Sequence, residues 1–245
     1  MHPLDYKGCI FNALREVECM NVVEQYNLTL QIEVLKEQSA ETLARLCNLV
    51  EESGSSECVE VLKAYSHIVN TELYLATSIH ELDILKSDMV KLENTIKESL
   101  AQASHDISDI KETGDVQAIE SYSSEDFDKA LERTIDLLTF NKNISSTPHT
   151  VILGGQSGAG KTTIHRVKML ESKGNYIVID GDTYRAQHPY FRELQEKYGV
   201  DSVDYTKMFA GKMVEAVIDK LSSLKYNLII EGTLRSAAVP INTAT

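Results

Sequence analysis

The sequence predicts a chain in two parts: an all-α helical hairpin, bundle or coiled coil, followed by an α/β region on a parallel sheet of about three strands. Nine of the 12 glycines and three of the four prolines follow residue 147, so the first half has few of the residues that break helices. Charge divides the chain in the same way, with 22 Asp and Glu against 9 Lys and Arg in residues 1–120 and 15 of each in residues 121–245. In the second half short β-rich runs alternate with helical stretches, the pattern of parallel strands joined by crossover helices.

Along the first half, Ile10 to Tyr26 and Leu28 to Val50 read as one broken helix or two consecutive ones, with Leu30, Val34, Leu35, Leu43, Leu46 and Val50 as apolar positions. Ser53, Gly54, Ser55 and Ser56 are a turn signal. From Leu82 the apolar residues recur at Leu85, Met89, Leu92, Ile96, Leu100, Ala103, Ile107 and Ile110. These steps of three and four place one stripe on a long amphipathic helix. Val59, Leu62, Tyr65, Ile68 and Val69 extend a similar period upstream, blurred between Asn70 and Thr77. The stripe serves either an intramolecular bundle or a coiled-coil seam between two copies of the chain.

Gly114 is the expected end of this helix. The reading places an acidic helical domain at 1–115, a linker at 116–122 and a P-loop domain at 123–245. Ser123, with Asp126 three residues on, is a capping-box-like start for a helix through Phe127, Ala130, Leu131, Ile135 and Leu138, which the Asn141 to Pro148 stretch ends. Strands are expected at 150–153, 176–179 and 228–230, with helices near 161–172 and 203–224.

Composition excludes several classes. The acidic first half lacks the basic surface that nucleic acid or an anionic membrane requires. The uninterrupted apolar runs fall far short of the ~20 residues needed to span a bilayer, and no signal segment is read at the N-terminus, which predicts a cytoplasmic protein. Cys9, Cys19, Cys47 and Cys58 form neither a CxxC pair nor a Cys-His cluster, so reduced, partly buried thiols are expected.

The chemistry is concentrated at the strand ends. After the first strand, Gly155, Gln156, Ser157, Gly158, Ala159, Gly160, Lys161 and Thr162 fit G-x-x-x-x-G-K-[ST], with the strand before and the helix after that the motif needs. Its small residues let backbone amides surround phosphates, Lys161 reaches the outer phosphates, and the Thr162 hydroxyl can ligate magnesium. The second strand ends in Asp180, Gly181 and Asp182, and the third in Glu231, Gly232, Thr233, Leu234 and Arg235. Parallel strands deliver these groups to the sheet edge where ligands bind in open α/β folds. One carboxylate of the Asp180–Asp182 pair can take a proton from an acceptor hydroxyl, while the other caps the following segment.

These residues carry a resemblance. Ile152 to His165, Ile179 to Pro189, Gly211 to Glu215 and Tyr226 to Arg235, in that order, resemble the toxin kinases of the zeta family, with the likeness beginning near Tyr122. The resemblance implies an α/β P-loop kinase-type fold. It also implies ATP-dependent phosphorylation, with Mg2+, of the 3′-hydroxyl of the amino sugar in UDP-N-acetylglucosamine, by a toxin held silent by a small helical antitoxin. It implies that Gly155 to Thr162 bind ATP, that Asp182 is the catalytic base with Lys161 and Arg235 as catalytic cations, and that Glu215, Thr233, Arg235 and Thr243 contact the UDP-sugar. His188 is expected to be structural, and Tyr184 and Tyr190 to be packing or pocket wall. Against the family pattern the kinase domain reads as C-terminally truncated, and little or no turnover is expected of the 245-residue chain.

No motif in residues 1–115 matches a recognisable pattern. An acidic helical module joined to a kinase-type half suggests an inhibitor in cis whose helix places a carboxylate near Lys161; a dimerisation or partner-binding coiled coil is the alternative. A helical antitoxin in trans and a homo-oligomer through the helical region are the further partner expectations. Two function classes follow, a UDP-N-acetylglucosamine kinase and a nucleotide-binding regulatory protein without turnover. Within the enzyme class, a P-loop kinase for another small molecule is the runner-up.

Overall fold

A computed structural model describes residues 22–104, 119–155 and 159–232. The first part is a helical bundle. Helix α1 spans Val22–Ser53 without interruption, so the break anticipated near Tyr26 is absent, while residues 1–21 lie outside the described set. Gly54 ends the helix with φ +63°. The Ser55 side chain then accepts the Cys58 amide to cap α2, Ser56–His67, which satisfies one of the otherwise orphaned amides of the first turn.

The long helix expected from about Ser56 onward is in fact two helices. After α2 the chain passes through a π-helical turn, Ile68–Glu72, and a single α-turn, Leu73–Leu75. It then opens at Ala76, whose ψ of 127° is not helical, before α3 spans Ile79–Ser104. The blurred period at 70–77 is therefore a break with a purpose: the wider π turn re-aims Leu73 and Tyr74 into the interior. The stripe on α3 packs within the chain. Leu82, Met89 and Ile96 are buried against Leu28, Ile32, Leu43 and Leu46 of α1 and Leu62 of α2, with Leu85, Leu92 and Leu100 at the margin. The anticipated ends of this helix at Ile107, Ile110 and Gly114 lie outside the described residues.

Helix α4, Ser124–Thr139, begins with a complete capping box, in which Ser123 and Asp126 satisfy each other's amides. A three-stranded parallel sheet follows in the order β1-β3-β2, built from β1 Thr150–Gly154, β2 Ile177–Asp180 and β3 Leu228–Gly232. Val151 pairs with Ile229 and Val178 with Ile229, so the last strand in sequence lies in the middle. Helix α5 spans Lys161–Glu171, a 3-10 segment Gly181–Gln187, α6 Phe191–Tyr198 and α7 Ser202–Ser223. The 3-10 segment and α6 were not anticipated; both are too short to leave a period in the sequence.

Strand alternation assigns the two sheet faces to different covers. Ile177, Ile179, Leu228 and Ile230 pack on α4 and α7 through Ala130, Phe209, Met213, Val217 and Leu221. On the other face Leu153, Val178 and Ile229 meet Met169 of α5 and Tyr74, with Leu75 beside them. The helical half thus supplies part of the sheet's own core. Polar clamps reinforce the junction. Arg166 donates to Thr29 Oγ1 at 2.9 Å and to the Ala76 carbonyl at 2.7 Å. The Lys142 ammonium donates to Thr71 Oγ1 and to the carbonyls of Gly174 and Tyr176, and Arg133 pairs with Glu51. Gly174, at φ +82°, lies where an added Cβ would be 2.8 Å from Thr71 Cγ2, so the approach of the halves there requires glycine.

Cys47 and Cys58 are free and buried in the bundle, as expected of reduced thiols; Cys9 and Cys19 lie outside the described residues.

Candidate functional site

The three strand ends and the start of α5 enclose a cavity of about 700 Å3. Gly155, Lys161 and Thr162 line it from the P-loop, Asp180 to Thr183 and Arg185 from the turn after β2, and Glu231 and Gly232 from the end of β3. Gly160 caps α5 in the left-handed region, φ +79°, a conformation glycine reaches without strain. The helix N-terminus it opens turns the positive end of the dipole toward the cavity, the usual setting for a phosphate. Gln156, Ser157 and Gly158 of the expected cradle lie outside the described residues, as do Thr233, Arg235 and Thr243.

Lys161 extends into the cavity and donates to the Gly155 carbonyl at 3.1 Å, and it pairs with Glu231 at 3.3 Å. Burial, with the nearby Asp180 carboxylate, raises the Glu231 pKa above the ordinary range, against the pull of Lys36 and Lys161. His165 Nε2 lies 3.4 Å from the other Glu231 oxygen. Burial, followed by the charge of Lys36, lowers the His165 pKa to about 3, so the imidazole is neutral.

Asp180 is the cap: its Oδ1 accepts the Asp182 amide at 3.1 Å. Asp182 projects to the rim with its side chain 84% exposed, where Arg185 Nε holds it at 3.1 Å. Arg185 also donates to the Val203 carbonyl, so it ties the turn to α7. Glu215 is exposed on α7, one residue beyond Val214, which abuts Gly181; it does not line the cavity itself. His188 is buried among Tyr122, Phe209 and Tyr190, a structural position, and burial lowers its pKa to about 4. Tyr184 is buried in the sheet core.

Helix α1 forms the remaining wall, through Glu33, Lys36, Glu37 and Ala40. Glu33 and Glu37 of α1 line the cavity that holds Lys161; the lysine between them, Lys36, pairs with Asp180 at 3.2 Å, while Lys161 pairs with Glu231 of its own half. Sequence reading missed Lys36, Arg185 and the pairing of Glu231 with Lys161. Only Glu231 and Arg185 carried a signal, since both lie within strand-end motifs.

Comparison with known proteins follows this division. The zeta toxin family model matches residues 131–245, and the bacterial epsilon antitoxin model matches residues 24–99; the second match gives a relationship to the helical half, for which no motif was legible. Toxin PezT of Streptococcus pneumoniae serotype 4 is 58% identical over 126 residues, 51% of this chain and 50% of that protein. Toxin zeta of Streptococcus agalactiae is 41% identical over 127 residues, 52% of this chain and 44% of that protein. A solved chain from work on the PezAT chromosomal toxin-antitoxin system of Streptococcus pneumoniae superposes with a TM-score of 0.50 at 58% identity, covering 51% of this chain and 52% of that one. The chain therefore spans about half the length of the curated relatives it matches. Among the described residues no helix is long and apolar enough to cross a membrane.

Proposed function

We propose, from the premise that the C-terminal half is a zeta toxin-type segment and the helical half its epsilon antitoxin-like counterpart, that the cavity is an ATP site closed in cis by α1. The machinery is that of a kinase for the 3′-hydroxyl of the amino sugar in UDP-N-acetylglucosamine, within a toxin-antitoxin system. One observation carries this reading: α1 of the antitoxin-like half lines the same cavity as Lys161, Thr162 and Asp182.

The donor set suits a magnesium nucleotide. Thr162 and the carboxylates of Asp180 and Glu231 line one cavity and offer the hard oxygen ligands that magnesium prefers. Thr162 would hold the ion, which would neutralise charge on the transferring phosphoryl group. Lys161 binds the outer phosphates, and its present contacts with Gly155 and Glu231 keep the side chain extended along the cavity. Asp182, exposed at the rim and oriented by Arg185, accepts the proton of the acceptor hydroxyl. Glu215, Thr233, Arg235 and Thr243 are the proposed contacts for the UDP-sugar, with Arg235 also a cation over the transferring charge.

The test is transfer of phosphate from ATP to UDP-N-acetylglucosamine, followed by phosphorus NMR. Asp182→Asn is expected to lower the rate by about 10³-fold with nucleotide affinity unchanged, the usual scale for losing a general base. An unaltered rate would remove Asp182 from the mechanism. ATP binding without transfer would favour the regulatory class, for which the closure of the cavity by α1 is the supporting observation.

A further inference from the structure

We infer that Lys36 is the latch that holds α1 across the cavity, acting as an internal counter-ion for the sheet-edge carboxylates. Helix α1 is acidic, and Lys36 is its one lysine. On this helix Glu33 and Glu37 line the cavity wall, whereas the Lys36 ammonium inserts beyond them to 3.2 Å from Asp180 Oδ2, with the two side chains 15% and 22% exposed. It also lies 5.8 Å from the centroid of the Tyr74 ring, and Tyr74 is fixed in the sheet core. Burial opposes the ammonium charge, but Tyr74 and the carboxylates of Asp180 and Glu231 outweigh it and hold the proton well above the ordinary lysine range. Two ion pairs therefore alternate in one cavity, Lys36 with Asp180 and Lys161 with Glu231.

The other polar contacts between the halves have a different character. Arg166 with Thr29 and Ala76, Lys142 with Thr71, and Arg133 with Glu51 join residues that do not line this cavity. Thr29 and Glu51 lie on α1 on either side of Lys36 and fix the helix against the other half at its two ends, whereas among the described residues Lys36 is the α1 side chain that ion-pairs with a carboxylate of the site itself. In this closed form Asp180 already has its cation. On the nucleotide reading, which this part of the inference rests on, a divalent cation arriving with ATP competes with the Lys36 ammonium for the same carboxylates, so opening the latch and filling the site are one event.

Lys36→Met keeps the apolar stem and removes the charge. Because the substitution leaves Asp180 without its cation and α1 without that tie, amide hydrogen exchange at residues 33–40 of the full chain, without nucleotide, is expected to be about tenfold faster than wild type. Lys36→Arg should retain the wild-type rate. A fluorescent ATP analogue with magnesium should bind Lys36→Met about tenfold more tightly than wild type, and adding Lys161→Ala should remove that gain. Exchange unchanged in Lys36→Met overturns the latch, whatever the nucleotide does. Faster exchange with no Lys161-dependent analogue binding upholds the latch and overturns the nucleotide reading beneath it. Should Lys36→Met fail to fold, Asp180→Asn breaks the same pair from the other side and must give the same acceleration at residues 33–40, or the latch is refuted.

Discussion

Tyr74→Ala is expected to lower the unfolding free energy by about 3–5 kcal/mol, the range for truncating a large side chain in a packed core. Tyr74 is only 1% exposed although it belongs to the helical half. It packs against Leu153, Val178, Met169 and Ile229, so its loss opens a void against all three strands. The π-helical turn before it delivers the ring to this position. Urea denaturation of the wild type should show both halves unfolding in one transition, because the sheet and the bundle share this cluster, and Tyr74→Ala should move that transition as a whole. A loss below about 1 kcal/mol, or a transition that splits only in the helical half, would mean that the sheet core is complete without Tyr74.

Lys161→Ala is expected to weaken nucleotide binding by at least about 100-fold, measured by calorimetry with magnesium and ATP. Two effects add. The substitution removes the cation that pairs with phosphate oxygens, and charge-assisted contacts of this kind are the strong ones. It also leaves Glu231 without the partner it now has at 3.3 Å, so a carboxylate opposed only by the more distant Lys36 charge faces the incoming phosphates. Glu231→Gln in the same background should recover part of the loss, because it removes the repulsion and not the missing cation. Equal affinity in wild type and Lys161→Ala would place any bound nucleotide elsewhere on the chain.

What could be read from sequence was local. The capping box at Ser123 and Asp126, the turn at Gly54, the three strand runs and the glycine-rich loop before Lys161 each depend on residues within a few positions of one another, and their chemistry survives without knowledge of the rest of the chain. The central position of β3 was not legible, because strand order is a matter of which crossover packs where. Nor was the helix break at 68–76: the π turn has no residue signature, and only the fading of the apolar period hinted at it.

The site divides in the same way. That one carboxylate of the Asp180–Asp182 pair caps the turn follows from a strand end running into a tight turn; that it is Asp180, with Asp182 exposed, comes from the structure. The partner of Asp180 does not follow from any local pattern, since Lys36 lies 144 residues away in sequence on a helix whose composition suggested the opposite sign of charge. An acidic helix exposes its carboxylates to water at little cost and can still direct a single lysine inward, where only tertiary structure reveals it.

The most direct measurement of mutual exclusion between α1 and nucleotide is amide hydrogen exchange across the full chain with and without magnesium and ATP. If one cavity serves both, nucleotide should slow exchange at the start of α5, residues 161–165, and at the same time accelerate it along α1 at residues 33–40. Slower exchange at α5 with α1 unchanged or also slowed would contradict the account, because nucleotide and helix would then occupy the site together.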